Sequence, residues 1–161
     1  MSLEDHIAAI QRFTPVPWDR IPDLGLYMDQ VVTFIGQTCQ PLYGEDVRSF
    51  ISPAMINNYV KARLIPRPVG KKYGREQMAL ILMIVVLKQV CTMEDIRLLL
   101  TLRDGQSVES LYTAFCRRFS QVLHALRPES PENLSPALDL AIRACGCRAG
   151  CVAALYGRDE A

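Results

Sequence analysis

Apolar positions recurring every three or four residues divide the chain into helices separated by Pro- and Gly-containing breaks. Residues 4–13 predict a short amphipathic helix with Ile7, Ile10 and Phe13 inward. The stretch from Thr14 to Leu26 holds Pro15, Pro17 and Pro22 and reads as a loop pinned to the core by Trp18, Ile21 and Leu24. Helical spacing resumes at Met28 with Val31, Phe34 and Ile35 on one face, and residues 38–51, with Pro41 and Gly44, read as irregular.

Ser52-Pro53 is a helix start, because Ser accepts from free N–H groups and Pro at the first position gives up no hydrogen bond. That helix runs to about Leu64, where Pro66 and Pro68 stop it. Ile65 to Tyr73 has room for little more than a tight hairpin turning at Val69-Gly70. From Arg75 to about Val90 the sequence is apolar nearly all round, which predicts the central buried helix. Thr92 restarts a helix with Asp95 in a capping-box position, and Ile96, Leu99 and Leu100 form its inner face before Gly105 breaks it. Val108 to Leu126 is a helix of roughly five turns. Arg127 to Pro136 reads as a linker. The last helix, Ala137 to Leu155, is rich in Ala and Cys and is interrupted by Gly146 and Gly150.

Net charge is only +1 over 161 residues, yet its distribution is uneven. Between Ala54 and Arg75 stand six Lys or Arg (Lys61, Arg63, Arg67, Lys71, Lys72, Arg75) and no Asp or Glu. A basic segment on an otherwise acidic body asks for an anionic partner. On the helix that starts at Ser52, Ile56, Tyr59, Val60 and Leu64 share the inner face. Ala54, Asn57, Asn58 and Lys61 fall outward at i, i+3, i+4 and i+7. Asn can donate to and accept from an adenine edge, and Lys can read guanine or neutralise phosphate. A polar stripe of this kind is also what any solvated helix face looks like. The acid-free run and the basic hairpin directly after the helix favour DNA. The expected DNA-binding set is Asn57, Asn58, Tyr59, Lys61, Arg63, Arg67, Lys71, Lys72, Tyr73 and Arg75.

Three runs carry a resemblance. Met55-Ile56-Asn57-Asn58-Tyr59-Val60-Lys61-Ala62-Arg63-Leu64-Ile65-Pro66, then Lys71-Lys72-Tyr73-Gly74-Arg75-Glu76-Gln77, then Leu87-Lys88-Gln89-Val90-Cys91-Thr92-Met93-Glu94-Asp95-Ile96 are similar to the DNA-binding domain of the MerR transcription regulators. Together with Ile21-Pro22-Asp23-Leu24-Gly25-Leu26-Tyr27-Met28-Asp29-Gln30-Val31, they resemble the bacterial domain-of-unknown-function family 1836 over roughly residues 15–105. The resemblance implies a mainly α fold: a MerR-like winged helix-turn-helix with a minimal two-stranded wing, followed by additional C-terminal helices. It places an N-terminal helix and loop at 1–19, the DNA-binding domain at 20–104 and a helical dimerisation or effector region at 105–161. The sequence departs from the MerR pattern in three places. About a dozen residues (Thr38–Ile51) replace a tight turn, the wing is shorter, and Asn57-Asn58-Tyr59 stands where Arg-Tyr-Tyr is usual.

The stripe from Val108 to Leu126 fits either core or a dimer seam. MerR proteins dimerise through a helix after the DNA-binding domain, so Val108, Tyr112, Phe115, Phe119, Val122 and Leu126 are expected at a homodimer interface. The opening thirteen residues lack the apolar core of a secretion signal. The longest apolar run, Met78 to Leu87, would cross only about half a bilayer. Of six Cys, three stand alone, Cys91 and Cys116 inside apolar helical patterns and Cys39 in a loop, which suits a reducing compartment, and a cytoplasmic location is expected. Cys145, Cys147 and Cys151 have no C-x₂-C pair and only His6 and His124 to complete a site, so no metal or other cofactor is expected. Catalytic motifs are missing, and Asp29, Asp95 and Asp104 are dispersed near helix ends, where acids favour the dipole at a start. The expectation is a non-catalytic, DNA-binding transcriptional regulator whose effector the sequence does not name. The alternative is a protein-interaction module that turns the same basic surface toward an acidic partner.

Overall fold

Most of the helices start where a side chain holds their first free N–H groups. In the computed structural model, which describes residues 2–43 and 49–157, Ser2 and Asp5 form a reciprocal capping box at the start of α1 (Leu3–Gln11). Ser52 accepts from Met55 N–H at 3.3 Å, with Pro53 in the first turn of α3 (Pro53–Lys61). Thr92 and Asp95 cap α5 (Met93–Leu99), Ser107 and Ser110 cap α6 (Val108–His124), and Ser135 caps α7 (Pro136–Tyr156). These bonds satisfy donors that the helix itself leaves free. For α4 (Arg75–Leu87) the Gln77 side chain accepts from Gly74 N–H at 2.6 Å and donates to Pro66 O at 2.9 Å, so the helix start is tied to the preceding loop.

Helix α4 is the centre. Every residue from Met78 to Val85 is buried, and α2 (Met28–Tyr43) and α6 pack against it. Each fully buried Leu, Ile, Val or Met side chain contributes about 1.5–3 kcal/mol, which makes α4 the largest apolar contribution in the fold. Helix α1 lies across α6 and α2, and the Gln11 amide donates to Leu126 O at 2.6 Å, closing α1 onto the end of α6. A 3₁₀ turn, Trp18–Arg20, packs on α6. There Tyr112 donates to Val16 O at 2.7 Å, with its ring 6.2 Å from that of Trp18.

Several expectations are corrected. Among the described residues there is no β-strand and no sheet, so the two-stranded wing and the winged helix-turn-helix built on it are overturned. Only two isolated bridges stand in its place, Val69 with Lys72 and Leu26 with Tyr73. The reason is in the donors. Tyr73 gives its N–H to Leu26 O (2.8 Å) and takes Leu26 N–H on its own carbonyl (3.0 Å). Those bonds point away from the hairpin. The next bonded pair beyond Val69 and Lys72 would be Arg67 with Gly74, but Gly74 gives its N–H to Gln77 at the start of α4 instead (2.6 Å). Helix α2 runs on to Tyr43 with Pro41 in its last turn, where the stretch from residue 38 had read as irregular. The rest of that stretch includes residues 44–48, which lie outside the described residues. Leu24, expected to pin the loop, is 81% exposed, whereas Ile21 is buried.

Helix α7 contacts the body through α5. The Asp95 carboxylate, besides capping α5, accepts from Arg148 Nη2 at 2.7 Å and from the Tyr156 hydroxyl at 2.8 Å. Bonds from the Thr92 backbone and hydroxyl, then those from Tyr156 and Arg148, hold its pKa below the ordinary Asp value. A carboxylate lowered on folding stabilises above its unfolded pKa, and that contribution is lost as pH falls through the lower folded value. The hold on α7 should therefore weaken as pH falls below the ordinary Asp value of about 4 and be lost once pH falls below the lower folded value. The helix should detach at neutral pH in Arg148→Met with Tyr156→Phe, which leaves the α5 cap intact. Tryptic cleavage within α7, at Arg143, should then be several times faster. Equal cleavage rates in variant and parent would show that these bonds do not hold the helix.

Candidate nucleic-acid interface

Burying Ile56 and Tyr59 fixes the rotation of α3. With those two inward, Asn57, Asn58 and Lys61 lie on the solvent face, as the spacing predicts. Tyr59 is buried in the core, so its ring is not presented to a ligand, and that burial pushes its phenol up to about 12. Lys88, near the end of α4, reaches back to anchor the start of α3. Its ammonium donates to Phe50 O and lies 3.2 Å from Met55 Sδ. No periodicity in the sequence marks Lys88 for this work.

The end of α3 carries an unusual residue. Arg63 N–H donates to Val60 O (3.0 Å) and Leu64 N–H to Tyr59 O (2.9 Å), the paired bonds of a Schellman cap. The position between Ala62 and Leu64 must then be left-handed, and it is Arg63, with φ 58°, where glycine is usual. The turn after it repeats the pattern. Val69 and Lys72 exchange both backbone bonds (3.2 and 3.0 Å) around Gly70 and Lys71, with φ of 58° and 62°. Two positive φ values make this a type I′ turn, whose second central position favours glycine. Here it holds Lys71.

These two turns present the cations. Lys61, Arg63, Arg67, Lys71 and Lys72 are exposed. Among the described residues no carboxylate lies within ion-pair distance of any of them. Lys72 leans over the Tyr27 ring at 5.2 Å, and Gly25 admits it. A Cβ on Gly25 would stand 2.8 Å from Lys72 Cβ. Between α3 and the turn lies an open cleft of about 460 Å³ lined by Asn57, Lys61 and Arg67 among others.

Besides Tyr59, which lies in the core, two more members of the expected set lie elsewhere. Tyr73 is buried under the turn and is used by its backbone. Arg75 belongs to the scaffold. Its Nε donates to Ile21 O at 2.9 Å, it lies 3.9 Å from Asp23, and its guanidinium sits 5.8 Å from the Trp18 ring.

Of the residues expected at a dimer seam, Tyr112 is 1% exposed within the single chain. Val108, Phe115, Phe119 and Leu126 are half-buried, and Val122 is exposed. Val108 and Phe115 pack on the protein's own core. The apolar face of α6 is thus largely covered by α4, α1 and the 3₁₀ turn. No group of three or more His, Cys, Asp or Glu suited to a metal ion is found among the described residues. No helix among them is long and apolar enough to cross a membrane.

A helical body, among the described residues, with one face of exposed cations that make no ion pair is the class these features define. The family model described as "Domain of unknown function (DUF1836)" matches residues 16–115, and the chain belongs to that family. The match starts in the loop before the 3₁₀ turn and ends inside α6, so it includes the whole cationic face. No curated protein and no solved structure matches the chain.

Proposed function

We propose that the protein binds duplex DNA without catalysing a reaction, as a transcriptional regulator, with α3 and the turn at 69–72 as the contacting elements. The observation that carries this reading is the set of five exposed cations without an ion pair on and around the Asn57–Asn58–Lys61 stripe, two of them in left-handed backbone where a cation is not the easy choice. Lys61, Arg63, Arg67, Lys71 and Lys72 neutralise phosphates. Asn57 or Asn58 meets a base edge, since neighbours on a helix diverge by about 100° and only one can point straight into a groove. The reading does not need a two-stranded wing, because the single type I′ turn already projects Lys71 and Lys72.

Selection of bound fragments from random duplexes, followed by titration on a selected and a scrambled site, tests it. Asn→Ala at the base-reading position should cost about 1–3 kcal/mol on the selected site and little on the scrambled one. Lys71→Ala with Lys72→Ala should weaken both sites alike and reduce the salt slope by about 0.9 for each lost phosphate contact. If no fragment is enriched and acidic polypeptide binds instead, the surface is a protein-interaction face and the DNA reading fails.

A further inference from the structure

A second cleft, about 560 Å³, adjoins the first along Val60, Lys61 and Arg67. Its volume falls in the range of small-molecule sites. Its lining has two parts. The segment from Val60 to Arg67 brings Lys61, Arg63 and Arg67 among apolar residues, and the other part is wholly apolar and comes from elements distant in sequence: Leu80 of α4, Leu100 at the end of α5, then Leu102 and Val108. No Asp or Glu lines it.

The two parts together select an occupant. A small inorganic anion would satisfy the cations and leave the wall of Leu100, Leu102 and Val108 in water. A neutral apolar molecule would cover the wall and leave three like charges unrelieved. A sugar-phosphate strand offers the charge but little apolar surface for that wall. What fits both is an apolar chain or ring that carries a carboxylate. Charged hydrogen bonds from Arg63 or Arg67 would hold the carboxylate and Leu102, 41% exposed, would be covered by the body. The left-handed backbone of Arg63 adds to this, because it places a guanidinium at the cleft where glycine would relieve strain and leave the charge out.

We propose that this cleft binds a small amphipathic organic carboxylate, and that the bound molecule competes with DNA for Lys61 and Arg67. The competition rests on the DNA-binding reading; the binding itself does not.

Calorimetric titration of the full chain with octanoate, octan-1-ol and acetate tests it. Octanoate should bind one to one at submillimolar concentration, at least about tenfold more tightly than the other two. Arg63→Gln and Leu102→Ser should each weaken octanoate severalfold, with circular dichroism confirming the parent fold. Octanoate should raise the apparent Kd for duplex in the parent. Leu102→Ser, outside the DNA-contacting set, should keep the duplex affinity and lose that sensitivity. Octanoate binding no tighter than octan-1-ol, or binding unchanged in both variants, overturns the site. Octanoate and duplex bound together without competition overturn the shared-cation part. Octanoate bound by a protein that binds no duplex keeps the cleft and removes the DNA reading.

Discussion

Tyr112→Ala should lower the unfolding free energy by about 3–5 kcal/mol, the cost of emptying a buried aromatic site. The melting temperature should fall by roughly ten degrees or more. The ring is enclosed by the 3₁₀ turn and α4, with Trp18 at its side, and its hydroxyl satisfies Val16 O, so the deletion leaves both a cavity and an unpaired carbonyl. Tyr112→Phe isolates the second effect and should cost about 1 kcal/mol. The experiment also separates core from seam. A core residue destabilises the single chain at every protein concentration. A seam residue would change the association state, with a melting temperature that depends on concentration. Thermal melts at two concentrations, with mass measured in solution, decide between them. A Tyr112→Ala protein that keeps the parent melting temperature and merely halves its mass would refute the placement of α6 in the protomer core.

The difference between what the chain announces and what the fold decides is visible in this helix. The Ser52-Pro53 start, the Thr92–Asp95 box and the unbroken apolar run of α4 are local signals, and each stands where it was expected. Local chemistry is enough for those, because capping and periodicity act within a few residues. Whether the stripe of α6 meets the same chain or a second one depends on where α1 and the 3₁₀ turn fold back, and no feature of α6 encodes that. The wing failed for a similar reason. A turn was legible here, though it centres on Gly70-Lys71, one residue past Val69-Gly70. The ladder ends because Gly74 spends its N–H on Gln77 at the start of α4, and Tyr73 pairs with Leu26, 47 residues upstream in the chain, a partner that leaves no trace in the local pattern. Arg75 counted as one more cation in a basic run, and only the fold shows it held by Ile21 and Trp18. The outward set Asn57, Asn58 and Lys61 was legible because helical spacing alone separates it from Ile56 and Tyr59.

Glycine substitution at Arg63 and Lys71 should make the protein more stable and worse at binding DNA. In left-handed backbone a non-glycine residue costs about 1–2 kcal/mol. Glycine relieves that strain but adds freedom to the unfolded chain, which takes back about 0.4–1 kcal/mol. Each single variant should therefore gain roughly 0.5–1 kcal/mol in denaturant unfolding. The two residues sit in separate turns, one closing α3 and one at 69–72, so the double variant should show nearly the sum of the gains. Binding should move the other way. Each lost phosphate contact removes about 0.9 from the slope of log affinity against log salt, so the double variant should lose up to about 1.8. Arg63→Asn provides the control, because Asn tolerates left-handed backbone while lacking the charge. It should share the loss of binding and some of the gain in stability. Strain kept at two positions, both filled by exposed cations without an ion pair, is the pattern expected where charge at that point matters more than local comfort. A double glycine variant that gains stability and binds duplex with unchanged affinity and salt slope would show that these two cations touch no phosphate. The contacting face would then have to be sought away from the turns.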